Sequence, residues 1–233
     1  MRVVILQPGY LPWLGFFEQL QRADIFVIYD DVQFNRRGWR NRNRIKSPDG
    51  PIWITVPVTQ KGRFGEKMCD VRIDNQHAWR RKHIESLRRF YRRAPYFDDY
   101  FTPIIDAIRK PHEKLVDLDI SLIYLLARCI GEPVSKFRLS SEMGVTGGKT
   151  TRLLNICEAL GADEYYTGAA ARNYFERKPF DDAGIRVEFQ DYKHPVYSQM
   201  FGDFAPYLSV VDLLFNKGGE AAEIIASGSG GRS

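Results

Sequence analysis

The segment LQPGYLPWLGFFEQLQRADIFVIYDDVQF, Leu6 to Phe34, limits what this chain can fold into more than any other. Val3, Val4 and Ile5 lead into it as a short apolar run, and Pro8 and Gly9 interrupt that run. Apolar residues then recur at helical spacing over 13–22, and a second apolar run fills 25–30. A short strand, a crossover helix and a second strand imply parallel pairing, because the helix carries the chain back to the edge where it began. KTTRLLNICEALGADEYYTG, Lys149 to Gly168, repeats the pattern: Leu153, Ile156, Cys157 and Leu160 share a helical face, Gly161 is a stop signal, and Tyr165 to Thr167 start a strand.

Extended to the whole chain, the same spacing rules predict strands near 3–7, 25–30, 52–57, 70–74, 164–168 and 185–190. Helices are expected near 13–22, 77–93, 97–109, 113–130, 147–160 and 207–215, the last with Ser209 as N-cap and Gly218 as stop. The resulting fold class is α/β: a mainly parallel, Rossmann-like sheet flanked by helices, with a helical insertion at 77–132. One domain is expected over 1–220, followed by a mobile tail at 221–233 that ends in Gly and Ser. Cys69, Cys129 and Cys157 stand far apart without a CxxC pair, which argues for small core residues rather than disulfides or metal ligands. No window approaches the roughly 18 apolar residues of a membrane span, so a cytoplasmic protein is expected.

The net charge of +5 conceals a local concentration. Residues 36–93 carry 17 Lys or Arg against 5 Asp or Glu, and the rest of the chain is acidic. The foci are RRGWRNRNRIK, Arg36 to Lys46, a loop or edge strand, and RRKHIESLRRFYRR, Arg80 to Arg93, a helix with Trp79, Leu87 and Tyr91 on its apolar stripe. Such a face attracts anions: nucleic acid, an anionic membrane surface or a phosphate-bearing small molecule. Nucleic acid is not expected, given the aromatic-poor acidic remainder and the carboxylates at the strand ends.

Candidate chemistry gathers at strand ends. Gln7, Tyr10 and the nearby Gly9 and Gly15 follow the first strand, where open α/β sheets bind ligands, and Asp30 and Asp31 end the second. Neither GxGxxG nor GxxxxGK[ST] is present, so no dinucleotide or Walker site is assigned, and no metal site or cofactor. Arg42 and Arg44 stand two apart and share one face of an extended strand, with Asn41 and Asn43 on the other; they are expected to clamp a diphosphate. Lys149 and Arg152 open a helix after GVTGG and join that clamp. His194, held extended by Pro195, is a candidate proton acceptor beside Tyr197 and Gln199. His77, His83 and His112 lie in helical runs and are read as structural.

The set Gln7, Pro8, Tyr10, Pro12, Trp13 and Gly15, with DIFVIYDDVQF, NRNRI, Pro57, Trp79, APYF, YTGAAARNYF and YKHPVYSQMFGDFAPYLSVVDLLFNKG, resembles the WbqC-like family of bacteria over about residues 2–220. The resemblance implies a place in O-antigen or other surface-polysaccharide synthesis and names no reaction. Three classes stay open: an enzyme acting on a nucleotide-linked sugar, a nucleic-acid binder and a non-catalytic scaffold. Within the first, acyl or aminoacyl transfer to an amino sugar, with Asp30, Asp31 or His194 taking the proton, stands beside nucleotidyl transfer or nucleotide-dependent ligation.

Overall fold

A computed structural model describes residues 1–35, 38–59, 65–173 and 175–229 of this 233-residue chain. Arg36 and Arg37 of the basic run, Tyr174 and the tail residues 230–233 lie outside the described residues. In chain order the elements are β1 (Arg2–Leu6), α1 (Leu14–Arg22), β2 (Ile25–Ile28), β3 (Arg42–Ser47), β4 (Gly50–Thr55), α2 (Trp79–Tyr91), α3 (Phe97–Arg109) and α4 (Leu115–Cys129). They continue as β5 (Phe137–Leu139), α5 (Lys149–Leu160), β6 (Glu164–Thr167), α6 (Lys178–Asp182), β7 (Arg186–Phe189), α7 (Val210–Lys217) and α8 (Ala221–Ser227).

Five strands form a sheet in the order β5-β2-β1-β6-β7, every pairing parallel. Helices cover both faces, which is why β1 reads as a continuous apolar run and not as an alternation. Successive β1 side chains still divide by period two: Val4 joins Phe26 and Ile28 in one apolar cluster, and Val3 and Ile5 join Val27, Tyr165 and Val187 in the other. Leu14, Phe16, Phe17 and Leu20 of α1 are buried in the first cluster, each contributing about 1.5–3 kcal/mol by removal from water. The insertion is helical as expected. On α2, Trp79, Ile84, Leu87 and Tyr91 face inward, while Arg81, Lys82, Arg88 and Arg89 stay in solvent. Ser209 caps α7 by accepting from the Val211 N–H at 3.3 Å.

Three expectations change. The strand near 52–57 belongs to an antiparallel hairpin, β3 with β4, outside the parallel sheet. The strand near 70–74 is absent: Met68–Asp70 is a 3-10 turn, and Arg72 and Ile73 make only the isolated bridges Arg72↔Lys114 and Val58↔Ile73. Met68, Val71 and Ile73 are instead buried in the core from a segment that forms no strand. Finally, the segment after 220 begins as α8, with Ala221 and Ile225 buried and the Ala222 carbonyl accepting from Gln21 Nε2, so the tail is anchored through residue 227 by apolar contacts that Gly/Ser content concealed.

Candidate functional site

The carboxyl ends of the parallel strands border a crevice with two lobes. The sheet order puts β1 between β2 and β6, so the chain builds outward on one side of β1 and later on the other. Connections leaving such a switch point diverge and open a gap between them. Leu6, Gln7, Arg40, Gly168 and Ala170 line both lobes. The larger lobe, about 1080 Å³, reaches past Tyr29 and Thr167 to Lys149 and Thr150. The smaller, about 470 Å³, is walled by Trp13, Trp39, Tyr192 and Tyr207 and carries the amides of Gln19, Asn43 and Gln190.

The larger lobe has a positive end. Gly148 precedes α5 without a side-chain cap, so the first N–H groups of a twelve-residue helix keep their partial charge where Lys149 and Thr150 border the cavity. Lys149 holds φ at +48°, a left-handed conformation that costs a residue with a Cβ about 1–2 kcal/mol. At the junction of the lobes, Arg40 Nη1 donates to the Gln7 carbonyl at 3.1 Å, which places a guanidinium where the two spaces meet. Lys149 and Gln7 border the crevice, and Arg40 is the arginine of the basic run that lines it.

Arg42 and Arg44 do point to one face, with Asn41 and Asn43 buried on the other. That face lies outside both lobes. Arg42 sits 4.5 Å over the Trp53 ring, and Arg44 Nη2 donates to the Pro206 and Tyr207 carbonyls at 3.1 and 3.2 Å. The diphosphate clamp is thereby divided: Lys149 borders the larger lobe, the two strand arginines stack on tryptophan, and Arg152 is turned to Asp31.

The carboxylates at the end of β2 are closed. Asp30, 3% exposed, accepts from the Ser141 N–H at 3.0 Å and from Ser141 Oγ at 2.7 Å, with Ser140 Oγ 2.9 Å away and its one proton nearer Asp31. Asp31 accepts from Ser140 Oγ at 2.6 Å and is paired with Arg152. Burial alone raises the Asp31 pKa, but hydrogen bonds from Arg152 and Ser140 and the Arg152 charge outweigh it and hold the group below the usual carboxylate range. Both side chains tie β2 to the turn after β5 and to α5, and neither lines a lobe, so the arrangement favours a structural role over proton transfer. Tyr10 is likewise buried behind the site, its hydroxyl 3.0 Å from His83 Nδ1, and burial lowers the His83 pKa to about 4.

His194 stands behind the aromatic wall of the smaller lobe and is not one of its lining residues. The His194 ring stacks on Trp13 at 6.4 Å between centroids and meets Tyr207 at 5.5 Å. Its Nδ1 faces the Pro195 carbonyl at 3.1 Å; a carbonyl only accepts, so Nδ1 carries the proton and Nε2 presents a lone pair. That Nε2 is buried with no partner among the described residues. Burial lowers the His194 pKa, opposed by the bond to Pro195, which keeps the ring neutral near neutral pH. Tyr197 and Gln199 support this loop without lining the crevice. Tyr197 donates to Asp212 Oδ1 at 2.9 Å, and Gln199 exchanges bonds with the Ala205 backbone and accepts from Lys46 Nζ at 3.1 Å.

Sequence reasoning passed over Trp13, Gln19, Arg40 and Gln190 as site residues. Gln190 carried the one available signal: it follows β7 as Gln7 follows β1, an amide at the carboxyl end of a parallel strand. Gln19 lies four residues after Gly15 on α1 and reads as an ordinary polar helix position.

Comparison with known proteins agrees with this architecture in extent. The family model described as the WbqC-like protein family matches residues 7–224. The uncharacterised protein Rv1507c of Mycobacterium tuberculosis is 39% identical over 228 residues, covering 96% of this chain and 97% of that protein. The family match takes in the crevice residues from Gln7 to Tyr207, and the chain belongs to the WbqC-like protein family.

Proposed function

We propose that the crevice binds a nucleotide-linked amino sugar and transfers an acyl or aminoacyl group to its amine, a step suited to surface-polysaccharide synthesis. The observation that carries this reading is the junction of two unlike lobes at Gln7 and Arg40. Lys149, the start of α5 and Arg40 suit a diphosphate; aromatic walls with neutral amides suit a sugar ring. In the reaction the amine nitrogen attacks the carbonyl carbon of an activated acyl donor, a C–N bond forms and the bond to the donor's leaving group breaks. His194 Nε2 takes the proton that the nitrogen loses and returns it to the leaving group. Tyr207, 49% exposed, touches His194 and lines the smaller lobe, so in this reading it moves aside as the amine approaches Nε2.

Nucleotidyl transfer is the rival. It would seat nucleotide phosphates on the backbone between Gln7 and Gly15, with the glycines giving access. Those glycines are already used by the protein: a Cβ at Gly9 would lie 2.9 Å from the Trp39 carbonyl oxygen, and one at Gly15 would lie 2.2 Å from the Trp13 ring. Incubation with amino and hydroxy nucleotide sugars, with and without acyl donors, ATP and magnesium, and then mass spectrometry of the products, tests the choice. An acylated amino sugar is expected. Pyrophosphate release without acylation would make the protein a nucleotidyltransferase, and no product under any condition would leave a binding or scaffold protein.

A further inference from the structure

We infer that the smaller lobe is the sugar subsite, and that it selects a ring presenting a hydrogen-bond donor to Gln19 Oε1 and a hydroxyl or amine to the Tyr192 hydroxyl. This deepens the proposed function and rests on it for the nucleotide attached to that sugar; the subsite itself stands on a chain of hydrogen bonds.

The chain starts at Glu18, a carboxylate 1% exposed that can only accept. Its Oε2 receives Gln190 Nε2 at 2.6 Å, and the same nitrogen donates to the Gly15 carbonyl at 2.8 Å. Both N–H groups of Gln190 are then committed. Its Oε1 must face a donor, and Gln19 Nε2 supplies one at 3.2 Å while also reaching the Gly15 carbonyl at 3.5 Å. Turning the Gln19 amide over would set its oxygen against two other oxygens with no proton between them. The polarity of Gln19 is therefore imposed from Glu18 through Gln190. Its Oε1, in a side chain 3% exposed that lines the lobe, is left without a partner among the described residues. A buried acceptor in that state is costly unless something binds it.

Tyr192, across the same lobe, has the second open atom: its hydroxyl is buried and unpartnered among the described residues. Burial and the Glu18 charge raise its pKa, so it stays a neutral phenol able to donate. The third amide is different. Asn43 donates to the Leu11 carbonyl at 2.6 Å and accepts from the Arg44 N–H at 2.8 Å, which commits it to the backbone. Between its aromatic rings the lobe thus offers a fixed acceptor and a hydroxyl, with Gln7 and Arg40 at its junction with the larger lobe. A pyranose has an apolar C–H face for the rings and edge hydroxyls or an amine for the open atoms, whereas a carboxylate or phosphate would meet Gln19 Oε1 oxygen to oxygen.

Calorimetric titration with UDP, UDP-glucose, UDP-glucosamine and free glucosamine, on the wild-type chain and on Tyr192→Phe and Gln19→Met, tests this. Tyr192→Phe removes a hydroxyl that bonds nothing among the described residues, so its fold is expected intact and it is the deciding variant; Gln19→Met removes the acceptor at similar volume and, with it, the donor to Gln190 Oε1. UDP-glucosamine is expected to bind the wild type about tenfold tighter than UDP, the worth of one good hydrogen bond, and each variant should lose most of that increment with UDP affinity unchanged. No increment for any sugar over UDP, or unaltered sugar affinity in both folded variants, would overturn the subsite. So would an equal loss for UDP itself, which would put the base in the lobe. The nucleotide reading fails separately: glucosamine binding that depends on Tyr192 and Gln19, with no binding of UDP, keeps the subsite and removes the nucleotide.

Discussion

The ends of β2 and β1 lie side by side in one sheet, Leu6 paired with Ile28, yet they use polar residues in opposite ways. After β2, Asp30 and Asp31 are surrounded by donors from Ser140, Ser141 and Arg152. Past β1, on the α1 side, the acceptor Gln19 Oε1 is left open by a relay that satisfies everything behind it. The charged pair looks reactive in sequence and is ringed by donors of its own fold; the neutral amide looks inert and lines a cavity with its oxygen unpaired among the described residues. Capacity to bind resides in the polar atom that folding leaves unpaired, not in the residue with the largest charge.

The strongest way to break this contrast is Asp30→Ala. Two hydrogen bonds to a buried carboxylate disappear and Ser140, itself 1% exposed, loses a neighbouring acceptor, so a loss of about 3 kcal/mol is expected from urea denaturation. A stable Asp30→Ala chain that no longer acts on substrate would return Asp30 to the catalytic list.

His194→Asn should instead spare the fold and slow acylated-sugar formation about 100-fold, close to 2.7 kcal/mol in the barrier. Because burial lowers the His194 pKa, wild-type activity should hold down through about pH 6.5 and fall only on the acid side as Nε2 becomes protonated. An acid limb unchanged in His194→Asn would assign the base elsewhere.

Stability against pH sharpens the comparison further, since the two regions carry carboxyls shifted in opposite senses. Beside the His194 loop, burial raises the Asp212 pKa to about 6 despite hydrogen bonds from Tyr91 and Tyr197. Its contribution is complete below the unfolded value, near pH 3.9, and is lost as pH rises through 6, with a slope of at most about 1.4 kcal/mol per pH unit. Asp31, held below the usual range, contributes above the unfolded value, and that contribution is lost as the solution becomes more acid. Asp212→Asn should flatten the curve between about pH 4 and 6 and leave the acid limb in place; urea denaturation at stepped pH reads both. The smallest effect is expected of Tyr192→Phe, within about 0.5 kcal/mol of wild type, because its hydroxyl has no partner to lose among the described residues. A larger drop would mean that the lobe is closed and not open.

By itself, the sequence determined the parallel sheet, the helical block of α2 to α4 and the start of a helix at Lys149. Each depends on spacing within a few residues: apolar periodicity, and Gly and Pro punctuation. The α8 helix, the hairpin pairing of β3 with β4 and the loss of the strand near 70–74 were decided by packing against distant elements, which short apolar runs do not encode. The same is true of the site. Asp30 and Asp31 meet their donors 109 to 121 positions away, and Gln19 meets Gln190 across 171. Whether a polar side chain is satisfied or left to a ligand depends on partners that only the folded chain brings within about 3 Å, because hydrogen bonds act at contact and carry no periodic trace in sequence.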